Sequence, residues 1–275
     1  MPKSVLIACT SDHHCGSTLG LVPDEGVRLD DGGTYQPSKA QLWTWYCWTD
    51  YWQRIDKLRR QEKADLWVLY NGDMFEGDHH ATTQIVSRNP EAQDYIAGRV
   101  FGVPKALHPA KTFVVRGTEV HVGTAGSAEE GRARSLNAVR DPETSNWSFW
   151  RLRLEVHGVL IDAQHHGRVG TRPWTRASAV GTLAYQIWSE HAERKLRWPD
   201  LAIRSHRHQY GDSGNTAKTR LIQTPAWQLK TAYAHKVVPE SIADIGGVAV
   251  ILRADSTSEV RPILYEPSLP EVVRA

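Results

Sequence analysis

At 275 residues, 40% hydrophobic and 23% charged, the chain can bury a sizeable core, and one domain over 1–275 is the expected count. No apolar run approaches a membrane span, and a net charge of +2 is too small to argue for nucleic acid by itself. Cys9, Cys15 and Cys47 are an odd, sparse set suited to a reducing compartment, and the short apolar run after Lys3 reads as a first strand and not as a secretory signal, so a cytoplasmic location is expected.

In chain order, residues 5–9 read as a buried strand. A Gly/Asp/Pro-rich excursion over 20–37 then leads to a helix over 38–61, with Ser38 as N-cap and Pro37 just outside. A second strand over 66–70 ends at Asn71-Gly72-Asp73. Helix is expected over 90–100 and a third strand over 112–116, ending at Gly117-Thr118-Glu119-Val120-His121. Residues 123–146 read as a loop with one short helix. The runs 147–156 and 159–163, joined by His157-Gly158, read as a hairpin. A helix over 176–197 precedes a strand at 201–203, and strands at 220–223, 247–252 and 260–265 close the chain. The pattern is α/β: a sandwich with loops inserted at about 17–37 and 123–146.

Three of these strands are followed by residues that suit a divalent cation: Ser11-Asp12-His13-His14-Cys15-Gly16, Asn71-Gly72-Asp73 and Ser205-His206-Arg207-His208. In an extended segment, Asp12 and His14 point the same way, so a carboxylate oxygen and an imidazole nitrogen can grip one ion. The ordinary alternative is that Asp12 caps a turn and His14 is a polar loop residue. Asp73 has two oxygens and can bridge two cations. His206 and His208 repeat the two-residue period, a more specific signal, because buried neutral imidazoles seldom pair without a partner. His165-His166 adds one more imidazole, and strand alternation lets only one of the two point at a given site. His79 and His80 read as loop residues or substrate contacts. The mixed His/carboxylate set argues against Cys-rich structural zinc and suits a catalytic pair of ions with open positions.

Trp43, Trp45, Tyr46, Trp48, Tyr51 and Trp52 crowd the first helix and point all round its axis. The ordinary reading is partial burial, the remainder packing under a loop or another subunit. The sharper readings are a platform for nucleobases, with Arg54, Arg59 and Arg60 following a phosphate backbone, or a homodimer interface. The basic clusters at 54–60 and 132–140 are read as solvated helix faces.

In combination, over residues 4 to 210, these motifs resemble the calcineurin-like metallophosphoesterase superfamily, whose pattern is Asp-x-His, Gly-Asp, Gly-Asn-His-Asp/Glu, a later His and Gly-His-x-His. The resemblance implies a four-layer sandwich, two central mixed β-sheets flanked by helices. It implies that Asp12, His14 and His208 hold one metal, that His206 and one of His165 or His166 hold the other, and that Asp73 bridges. Ser205 replaces the usual Gly of the last motif. The third motif departs, with Gly117-Thr118-Glu119-Val120-His121 in place of Gly-Asn-His. That variant resembles phage and prokaryotic nuclease-like branches; on it, His121 is the proton donor or phosphate contact, and Thr118 or Glu119 supplies the missing oxygen. Thr118, Arg168 and Arg207 are expected substrate contacts.

The implied activity is hydrolysis by a metal-bridging hydroxide attacking phosphorus in line. The cofactors would be two divalent ions, Mn first, with Fe, Ni, Zn and Mg as alternatives. A nuclease-type phosphodiesterase is expected, acting in a host cytoplasm if phage-encoded. The alternatives are a small-nucleotide or cyclic-nucleotide phosphodiesterase, a phosphoprotein phosphatase, or a degenerate scaffold that binds without catalysis.

Overall fold

The computed structural model describes residues 3–79, 81–168, 175–268 and 272–273. In chain order the strands are β1 (Val5–Thr10), β2 (Val27–Arg28), β3 (Thr34–Tyr35), β4 (Asp65–Asn71), β5 (Lys111–Val115), β6 (Leu152–Val156), β7 (Val159–His166), β8 (Leu201–Ser205), β9 (Gly211–Asp212), β10 (Arg220–Gln223), β11 (Ile245–Leu252) and β12 (Ser258–Tyr265). The helices are α1 (Lys39–Gln61), α2 (Pro90–Lys105), α3 (Glu119–Val122), α4 (Ser127–Ser135), α5 (Arg176–Glu193) and α6 (Ala232–Val237).

Two five-stranded mixed sheets form the centre, ordered β12-β11-β1-β4-β5 and β6-β7-β8-β10-β9. Within them β1, β4 and β5 are parallel neighbours, as are β7, β8 and β10; antiparallel strands form one edge of the first sheet, whose other edge is β5, and both edges of the second. Alternation along β1 shows the layering. Val5, Ile7 and Cys9 join Leu69, Phe113, Ile161, Ile203 and Val250 between the sheets, while Leu6 and Ala8 face the side covered by α1 and α2. On the far side of the second sheet, Val180 and Ala184 of α5 pack on Ala202 and Leu221. The order is therefore helix, sheet, sheet, helix, the expected α/β sandwich.

Helix α1 starts where expected: Ser38 and Gln41 form a reciprocal capping box. Its aromatic residues are more enclosed than the all-round pattern suggested. Trp45, Trp48, Tyr51 and Trp52 are buried, Trp43 is partly buried, and only Tyr46, at 69%, is exposed. The reason is that α1 is covered on more than its sheet face. Trp48 Nε1 donates to Val100 O of α2 (3.1 Å), and its ring meets Trp227 edge-on at 4.9 Å. The buried rings thus have no free face for a nucleobase. Arg54, Arg59 and Arg60 pair with Asp50 and Asp56 of the same helix, as on a solvated face.

Other boundaries moved. Only 152–156 of the expected 147–156 strand pairs as β6, and α5 ends at Glu193. The excursion before α1 contains the β2–β3 ribbon, and α6 and β9 lie where no element was expected. Among the described residues no helix is long and apolar enough to cross a membrane.

Candidate metal centre

The ligand candidates sit where parallel strands end. Asp12, Asp73 and Thr118 follow β1, β4 and β5 of one sheet; His165 is in the last turn of β7, and His206 and His208 follow β8 of the other. Carboxyl ends of parallel strands point their loops to one edge, so distant segments converge there. Convergence is closer than strand alternation alone would give. Asp12, His14, Asp73, His206 and His208 all have left-handed φ, between 46° and 74°. Each such conformation costs a non-glycine residue energy, and their concentration marks the loops as held in shape for a purpose.

The loops are stitched together through backbone groups. Asp12 N–H donates to Gly72 O (2.9 Å), His14 N–H to Asp73 O (3.1 Å) and Trp227 N–H to Asp12 O (3.0 Å). The Asn71 amide donates to Gln164 O and Ser205 Oγ, tying the first sheet to the second. Gly72 has to be glycine. Its φ is +91°, and a Cβ there would lie 2.4 Å from His165 Nδ1 and 2.8 Å from Gly117 Cα.

Two groups of donors face each other across Asp73. In one, Asp12, His14 and His208 each offer an atom within 4.8 Å of the others; in the second, Asp73, His165 and His206 do the same. Asp73 also joins His14 and His121 in a third such group. His208 Nε2 lies 3.3 Å from His14 Nε2 and 3.4 Å from Asp12 Oδ1, which is buried and accepts no hydrogen bond among the described residues. Thr118 donates its N–H to Asp73 Oδ1 (2.7 Å), and its hydroxyl lies 3.3 Å from Asp73 Oδ2 and 3.2 Å from His206 Nδ1.

Tautomers follow from these contacts. His165 Nδ1 must donate to Asn71 O (2.7 Å), so Nε2, 2.9 Å from Asp73 Oδ2, faces the centre. His14 turns Nδ1 to Glu76 Oε2 at 2.9 Å and Nε2 to the centre. His13, between the two ligands, points the opposite way, against Phe101 and Trp48, and burial pushes its pKa down to about 3.

The electrostatics ask for positive charge. Burial would raise the pKa of Asp12, but the neighbouring His208 and His165 rings outweigh it and hold the carboxyl below the usual range. Asp73 is held well down against its burial by His165 and His206, and His165 is raised, against its burial, chiefly by Asp73. A proton on His165 thus supplies charge that a cation in the same place would replace. Nitrogen and carboxylate donors, an orphaned Asp12 oxygen and a demand for positive charge all fit divalent ions at these positions.

Two expectations change. Glu119 does not reach the centre: it is exposed, and its Oε1 accepts from Ala125 N–H at 3.3 Å. The residue beside Asp73 is Thr118, because the turn into α3 starts there and carries Glu119 outward. His165 and His166 both approach the site, because the β7–β8 register is irregular between Ala163 and His166. His165 is the buried one, while exposed His166 packs its ring 4.7 Å from His206 and sets Nε2 3.4 Å from Thr118 Oγ1. Arg168 and Arg207 are exposed, and His80 lies outside the described residues.

His121 is beside the centre, edge-on to His14 at 4.7 Å, and donates Nδ1–H to Glu76 O at 2.7 Å. Burial and His14 lower its pKa to about 4.

Two carboxylates were missed. Glu76 is buried with Oε2 shared by His14 and Gln228 (3.0 Å to its Nε2) and Oε1 3.2 Å from His79 Nε2. The carbonyl of Glu76, besides, fixes His121. Buried Glu129 accepts from Met74 N–H (3.0 Å) and Gly117 N–H (2.7 Å), clamping the loop of Asp73 to that of Thr118. Glu76 had a signal, three residues after Asp73; Glu129 had none, since it lies in a stretch read as loop.

No family model matches the chain, and no curated protein matches it. Among solved structures, similarity is found to a protein of Thermus thermophilus (10% identity, 94% of this chain and 99% of that one, TM-score 0.41). A dimetal phosphatase from Danio rerio gives 9% identity, 94% and 95% coverage and a TM-score of 0.44. A 5'-nucleotidase from Candida albicans gives 10% identity, 82% of this chain, 46% of that one and a TM-score of 0.35. At such values the reading of the centre rests on its own geometry.

Proposed function

We propose that the chain is a metal-dependent phosphoesterase with a dinuclear centre. The single observation that carries this is Asp73, one buried carboxylate shared between a group with His165 and His206 and a group with His14. Asp12, His14 and His208 would hold one ion; His165, His206 and the Thr118 hydroxyl the other, with Asp73 between. When bound, such a pair lowers the pKa of a water and neutralises phosphoryl oxygens as charge develops. The chain supplies the rest. Thr118 N–H fixes Asp73, Glu129 holds the Met74 and Gly117 amides on either side of it, Asn71 O fixes His165, and Glu76 fixes His14.

His121, beside His14 and with its Nδ1–H turned to Glu76 O, stands where a phosphate contact or proton donor would be needed.

Within this activity we favour diesters, the nuclease-type reading. The buried arginines are engaged elsewhere, Arg116 by Ser148 and Glu130 and Arg204 by Asp162. With Arg168 and Arg207 both exposed, no buried guanidinium among the described residues is left to clamp a dianionic monoester, and a monoanionic diester needs none. Turnover of bis-p-nitrophenyl phosphate and p-nitrophenyl phosphate with Mn²⁺ tests both levels. The diester should be preferred at least ~10-fold. Preference for the monoester overturns the finer reading; no turnover of either with two ions bound overturns the enzyme and leaves a scaffold. Plasmid nicking then separates nucleic acid from small diesters.

A further inference from the structure

We propose that Glu76, His79 and His121 form a third cation site, of the two-histidine, one-carboxylate kind, on the rim of the dinuclear centre. It deepens the reading above, with which it shares the neighbourhood but none of the assigned ligands. A carboxylate oxygen of Glu76 and one nitrogen from each ring lie within 4.8 Å of one another. The His79 and His121 rings meet edge-on at 4.3 Å, and His79 Nε2 is 3.2 Å from Glu76 Oε1. Glu76 is buried, and the other two are half-buried, so the group opens to one side.

A hydrogen bond from His79 to Glu76 accounts for that one distance. It does not account for His121, which belongs to the same group and gives its Nδ1–H to Glu76 O. Its ring belongs both to the group with Glu76 and His79 and to the one with His14 and Asp73, so the rim group adjoins the dinuclear centre through His121. His121 is set up as His165 is, with Nδ1–H on a backbone carbonyl and Nε2 left as the ring nitrogen that the backbone does not engage. That is the arrangement that orients a metal-binding histidine. The donor set suits a borderline transition ion, Zn²⁺ before Mn²⁺ or Mg²⁺. An ion there would tie the loop after Asp73 to α3 and hold the Glu76 carboxylate that orients His14.

The test is equilibrium titration of the chelator-stripped full chain with Zn²⁺ alone, read as stoichiometry by calorimetry and by elemental analysis. Wild type should take up three ions and His79→Ala two. His79→Gln, which keeps more of the side-chain bulk, should also take up two, and circular dichroism checks that each variant is folded. Saturation of wild type at two ions overturns the third site and leaves the dinuclear centre standing. Three ions in both His79 variants also overturns it. Fewer than two in wild type removes the dinuclear reading and this inference together.

Discussion

Glu129 lends itself to a quantitative test. Its carboxyl is fully buried, and burial, with the negative charge of Asp73 adding to it, raises the pKa from 4.5 to about 7 despite the two backbone N–H bonds. The folded chain therefore binds this proton more tightly than the unfolded chain does. Stability from this group is fully present below about pH 4.5 and is lost as pH rises to about 7. At about 1.4 kcal/mol per pH unit, the loss is about 3 kcal/mol. Glu129→Gln removes the ionisation. It also leaves one of the two N–H groups without an acceptor, a penalty of about 1–3 kcal/mol that is not itself a titration. Urea unfolding of both proteins in EDTA, from pH 4.5 to 8, isolates the effect. Wild type should lose about 3 kcal/mol relative to the variant across that range, and the slope should shrink when Mn²⁺ offsets the Asp73 charge. Parallel stability curves would refute the buried, proton-hungry Glu129.

The remaining predictions concern the centre and the core. Asp12→Asn and His208→Ala should each lower metal-dependent hydrolysis by at least ~10³-fold with the far-ultraviolet dichroism unchanged; near-normal turnover would dismiss the ligand assignment. His165→Ala should cost one bound ion, whereas His166→Ala should keep both and raise KM; elemental analysis beside steady-state kinetics checks the pair, and equal metal loss in both would reverse the assignment. Trp48→Ala, which empties a fully buried position, should cost about 3–5 kcal/mol in urea unfolding. If it instead weakened oligonucleotide binding with stability intact, the helix would be a stacking platform after all.

Much of the fold was legible because β1, β4, β8 and β11 are short apolar runs that only a buried strand explains, and Ser38 announces α1. The ligand loops were legible because Asp-x-His and His-x-His keep both donors within a few residues. What failed depended on distant packing. The wrapping of α1 by α2 and Trp227 cannot be read from helical periodicity, which knows one covered face and not two. The register irregularity that admits both His165 and His166 is a property of two paired strands, and neither strand shows it alone. Glu129 was invisible for the same reason: its partners are backbone groups of other loops. Thr118 and Glu119 were neighbours in sequence, and only the start of α3 decided which would face inward.

The proposed ligands come from both sheets, Asp12, Asp73 and Thr118 from one and His165, His206 and His208 from the other. An ion gripped from both sides would act as a rivet through two plates whose edges are otherwise joined by apolar packing and hydrogen bonds such as Asn71 to Ser205 and Ser11 to Thr224. Resistance to unfolding then rises with free metal concentration, by about 2.7 kcal/mol at a hundred times the dissociation constant. The melting temperature of this protein becomes a gauge of its own occupancy.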